Sequence, residues 1–144
     1  MLSFALLLAL APTALPLPLP PEGADPVAIS VSLSRELGEQ PDMVQRLAQL
    51  RRSIRTTRKH VRLAEHRTDA AVRFVITSYE IEPLSGDRER HRIDGHYSSA
   101  NKWEPFHSIS ESGRPGLPPG LGRFVETVVF GAELERYERQ HPDR

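Results

Sequence analysis

Cysteine is absent from this 144-residue chain. No disulfide can staple the fold, and thiolate nucleophiles and Cys-bound metals are excluded. Aromatic residues are scarce, with one Trp, three Tyr and five Phe. None of them is interleaved with the arginine-rich stretch, so the stacking platforms of a single-strand nucleic-acid binder are missing there. Long apolar runs are missing too. The longest stretch, residues 2–11, has ten residues, about half of the roughly 20 that a spanning helix needs. No Lys or Arg precedes that stretch, and no cysteine follows it to carry a lipid. Gly-x-Ser-x-Gly, a glycine-rich loop ending in Lys-Ser or Lys-Thr, and a His-x-x-x-His pair are all absent, which removes the common signatures of hydrolase, nucleotide and helical zinc sites.

What is present begins with that apolar stretch, Leu-Ser-Phe-Ala-Leu-Leu-Leu-Ala-Leu-Ala, which reads as the core of a secretory signal. Prolines close it off from Pro12 onward. Cleavage after Ala11 or after Ala14 fits the small residues there, and the missing basic flank raises the alternative that translation starts upstream of Met1. The expected organisation is a signal over 1–14, a Pro-rich linker over 15–26 and a single domain over 27–141. The linker region is proline-dense, with six prolines in residues 12–26. It should be extended and unable to build a core. A cysteine-free exported domain points to a bacterial periplasm or exterior, with no membrane span left after cleavage.

Val27 to Ser34 alternates apolar and small polar residues without a fault, a strand with one buried face. After a loop over 35–40, Pro41 and Asp42 suit a helix N-terminus. The spacing of Met43, Val44, Leu47, Leu50 and Ile54 predicts a helix to Thr56. Strands follow at Val61–Ala64 and at Ala71–Ile81. The latter is apolar on both faces through Ile76 and should leave the core after it. Two weaker strands are predicted over Arg90–Ser98 and Lys102–Ser110, turning at Ser99-Ala100-Asn101. A loop covers 113–122, and one helix runs from Leu121 to Gln140, with two apolar stripes that serve either a broad buried face or a partner. The order β-α-β-β-β-β-α predicts an α/β (α+β) two-layer sandwich: a mixed sheet of about five strands with two helices on one face.

Three constellations carry candidate chemistry. Residues 46–73 hold nine Arg or Lys against two acids, a net +7, so the rest of this neutral chain is −7. Arg51, Arg52, Arg55, Arg58 and Lys59 crowd the end of the first helix. There they either complement its dipole as a solvated face or bind a polyanion such as anionic lipid or acidic polysaccharide. Asp94, His96 and His107 share one strand face by their spacing and pairing, a possible metal set, although Arg90 and Arg92 would repel a cation and His91 lies on the other face. Gly116, Gly120 and Gly122 precede a helix, but the neighbouring prolines remove the N–H donors that a phosphate loop needs. No catalytic residues and no cofactor are assigned.

At Val61-Arg-Leu-Ala-Glu65 and Thr68-Asp-Ala-Ala-Val-Arg-Phe-Val-Ile76 the chain resembles small α/β domains of bacterial envelope proteins, the TolB N-terminal and CsgG-like domains. The resemblance covers residues 27–81 and implies an exported, non-catalytic interaction domain. The leading expectation is therefore a domain that meets another envelope protein, with no nucleic-acid partner. A polyanion binder and a small metal-dependent hydrolase are the alternatives.

Overall fold

A computed structural model describes residues 14–113 and 121–142. The expected export signal therefore lies outside the described residues except for Ala14, and so does most of the 113–122 loop. The chain forms a mixed five-stranded sheet in the order β2-β1-β3-β4-β5. The elements are β1 (Val27–Leu33), α1 (Arg35–Gly38), α2 (Pro41–Thr57), β2 (Val61–Leu63), a 3₁₀ turn (Arg67–Asp69), β3 (Val72–Pro83), β4 (Glu89–Ser99), β5 (Lys102–Ser112), α3 (Leu121–Phe130) and α4 (Ala132–Gln140). β1 is parallel to both β2 and β3, whereas β3, β4 and β5 are antiparallel. This is the expected α/β class, with more helices than expected.

The alternation in β1 does what its pattern demands: Ile29 and Val31 are buried, and Ser30 and Ser32 lie on the other face. Val72, Phe74 and Ile76 of β3 and Ile93 of β4 extend that apolar face. Leu50 and Ile54 of α2 and Val125, Val129 and Phe130 of α3 close the core over it. Gly95 lets Phe106 lie directly over the strand. A Cβ there would fall 2.0 Å from the Val75 carbonyl oxygen and 2.9 Å from the Phe106 ring, at the point where the β3–β4 register shifts between Ile76 and Ser78.

Four features differ from the reading of the sequence. Residues 35–38 are helical because Ser34 caps them, its Oγ accepting from the Leu37 N–H at 3.3 Å, and Leu37 is buried. β3 does not leave the core after Ile76. The register shift returns Tyr79 to the inner face, where it is buried, and the strand runs on to Pro83. The C-terminal helix is two helices, because Gly131 adopts φ +59 and turns the chain, so both apolar stripes serve the core through Phe130 and Leu134.

The fourth difference concerns the proline-rich segment. Leu15, Leu17 and Leu19 pack against the core while Pro16 and Pro18 stay exposed. The Leu17 N–H donates to the Val129 carbonyl at 2.7 Å. That carbonyl sits in the last turn of α3, where no following helical N–H reaches it. Prolines have no N–H to give, so the leucines between them supply the strap's donors.

Candidate functional site

The basic run at the end of α2 divides into structural and free cations. Arg51 donates from Nε and Nη2 to the Val31 carbonyl at 3.1 and 2.7 Å. The reason lies in strand length. β2 pairs with β1 only as far as Ile29, whose carbonyl takes the Ala64 N–H. Val31 presents its carbonyl to the same side two residues on, where no strand remains, and Arg51 fills the gap. Burial, and Arg55 beside it, lower the Arg51 pKa. Arg58 is committed as well, its Nη1 lying 3.1 Å from Glu126 Oε1. Arg52 and Arg55 are exposed. Lys59 is exposed and makes no ion pair among the described residues.

Lys59 stands at a groove that forms where α2 hands the chain to β2. Two adjoining cavities, of about 370 and 270 Å³, share Lys59, His60 and Tyr137 as common walls. The larger is closed by Pro20–Pro26 of the strap region, the smaller by α3 and α4. Two contacts fix the wall. The His60 carbonyl accepts the Val27 N–H at 2.9 Å, pinning the junction to β1. The His60 ring stands edge-on to Tyr137, with centroids 4.8 Å apart. Tyr137 in turn stacks on His141 at 4.3 Å. Arg123 and Glu138 pair at 2.7 Å at the rim.

Glu126 belongs to the wall of the smaller cavity and is only 2% exposed. Its Oε2 has no hydrogen-bond partner among the described residues. Burial raises its pKa, and Arg58 and His60 oppose that shift. The sequence reading passed over this residue. Its only signal was a lone acid inside the apolar run Phe124-Val-Glu-Thr-Val-Val-Phe130, whose core face it shares.

The opposite face of the β3–β5 hairpins is open. Across it run the rows Arg73–Ser98–Trp103, Val75–His96–Pro105, Ser78–Asp94–His107, Glu80–Arg92–Ile109 and Glu82–Arg90–Glu111. Trp103 and Ile109 are 46% and 54% exposed. Arg90 reaches Glu82 at 3.4 Å and Glu111 at 3.3 Å. Asp94 Oδ1 and His107 Nδ1 are in direct contact, as cross-strand pairing predicts. His96 lies on the same face one row away, opposite Pro105. Among the described residues no group of three His, Cys, Asp or Glu side chains could hold a metal ion, so the expected set of Asp94, His96 and His107 comes together only as the Asp94–His107 pair.

His91 faces inward, as its strand position requires, and is buried. Its Nδ1 lies 2.8 Å from the Tyr79 hydroxyl and its Nε2 3.4 Å from Ser112 Oγ. A neutral imidazole has one donor and one acceptor, and each hydroxyl can serve either. Burial lowers the His91 pKa, and pushes that of Tyr79 up to about 12. The sequence placed the face of His91 but gave no sign of these partners.

No family model, curated protein or solved structure matches this chain. No helix among the described residues is long and apolar enough to cross a membrane.

Proposed function

We propose that this chain is an exported, non-catalytic interaction domain of the bacterial envelope, which docks another envelope protein on the open face of its sheet. The observation that carries this reading is the pair Trp103 and Ile109, exposed on an edge strand beside an Arg/Glu ladder. An aromatic anchor flanked by charges that set register is the usual make-up of an interface centre and rim. The resemblance of residues 27–81 to envelope domains agrees with it. Export is supported by where the strap begins. Cleavage after Ala14 would leave Leu15, Leu17 and Leu19, all docked on the core, with the mature protein. Mass spectrometry of exported material should find Leu15 first, and an intact Met1 there contradicts export. Retention of one envelope protein by the wild type and its loss in a Trp103→Ser/Ile109→Ser variant is the expected result for docking. Equal retention by both rejects that face.

A second reading has its own observation. Arg52, Arg55 and Lys59 remain exposed at the end of α2 after Arg51 and Arg58 are committed elsewhere. They form the part of the basic run that is free for a polyanion.

A further inference from the structure

We infer that the groove at Lys59, His60 and Tyr137 is a binding site for an acidic sugar, a hydroxyl-rich ring bearing one carboxylate, within a polysaccharide chain. The inference rests on the polyanion reading and narrows it to one site and one chemistry. The charge comes first. Arg58 and Arg123 are paired with Glu126 and Glu138, and Arg51 with a carbonyl. Lys59 is left as the cation at the groove without an ion pair. A single ammonium suits a singly charged carboxylate. A phosphate dianion calls instead for the planar donor fork of free arginines.

The walls narrow the class further. His60 stands edge-on to Tyr137, and Tyr137 stacks on His141, so the groove offers apolar ring surface with polar edges, which suits a sugar's C–H face and its hydroxyls together. Acceptors for those hydroxyls are present. Glu138 lies at the rim, and Glu126 is buried with Oε2 unpartnered. An unpaired buried oxygen is costly, and a ligand hydroxyl seated in the smaller cavity would supply its missing donor. The two cavities, about 370 and 270 Å³, adjoin through Lys59, His60 and Tyr137. That layout fits neighbouring units of a chain better than one isolated acid. An anionic membrane surface would need a flat, apolar-edged face instead of a groove walled by rings and carboxylates.

Calorimetric titration of the full chain with a short oligogalacturonate tests this. Its reduced, uncharged counterpart, phosphatidylglycerol vesicles and polyphosphate serve as comparison probes. Lys59→Ala should weaken oligogalacturonate binding about tenfold or more, the scale of one charge-assisted contact. Tyr137→Ala should weaken it while Arg52→Ala/Arg55→Ala leaves it nearly unchanged. The uncharged counterpart should bind about as weakly as the acid binds to Lys59→Ala. Lys59 is exposed, so its variant should keep the wild-type melting temperature. Weakening by Arg52→Ala/Arg55→Ala with no effect of Lys59→Ala would overturn the groove site and keep the polyanion reading. So would binding of vesicles or polyphosphate alone. No binding of any probe would overturn both.

Discussion

Ala100 has φ +51 in the two-residue turn between the paired residues Ser99 and Lys102. A side chain there costs roughly 1–3 kcal/mol of backbone strain, offset by the entropy that glycine loses on folding. Ala100→Gly should therefore stabilise the chain by about 0.5–1 kcal/mol, visible as a melting temperature raised by roughly 2–4 °C. An unchanged or lower value would mean the turn relaxes in solution. Gly95 is the reverse case. Gly95→Ala drives a Cβ into the Val75 carbonyl, which is backbone and cannot swing away. It should cost more than about 2 kcal/mol in urea unfolding. His91 sets a pH dependence. Its folded pKa lies below the ordinary 6.5 because of burial. The unfolded chain thus takes up the proton first, and stability is lost as pH falls below about 6.5. Glu126 acts oppositely: its raised pKa means that its burial weighs least as pH falls towards 4.5. Comparing unfolding at pH 7.5 and 5.5, His91→Gln should flatten the slope, and an unchanged slope would assign it to other groups.

At the scale of elements, the strap is the piece whose worth is easiest to measure. Three half-buried leucines contribute about 2–4 kcal/mol. A chain lacking residues 15–19 should unfold at correspondingly lower urea, and unchanged stability would show that the strap does not dock in solution. This segment also shows where sequence reading stops. The alternation of Val27–Ser34 and the two-sided apolarity of Val72–Ile76 were legible because burial repeats with the period of a strand. The Leu-Pro alternation reads as an extended linker, because its anchor is an orphan carbonyl at Val129, far along the chain. Residues 35–38 are too few to show a helical period. Gly131 registers in propensity as a cost and in the structure as a break. The same limit governs the sites. Asp94 and His107 meet because strand pairing is regular. Arg58 and Glu126 meet across 68 residues of chain, and nothing local in either segment announces the other.

At the scale of the whole molecule, the sheet divides its labour. One face and the helices make the core, and the open face of β3–β5 carries Trp103 and Ile109 between charged rows. Its ion pairs are exposed and contribute little to folding individually. Their value on this account is to orient a partner, which places docking on this face and leaves the outer side of α2, with its exposed Val44, free. Site-specific photo-crosslinking in cells tests that claim most directly. A photoreactive residue at position 109 should yield one discrete crosslinked envelope protein, and the same residue at position 44 should yield none. Equal crosslinking at both positions, or none at position 109, would contradict the account.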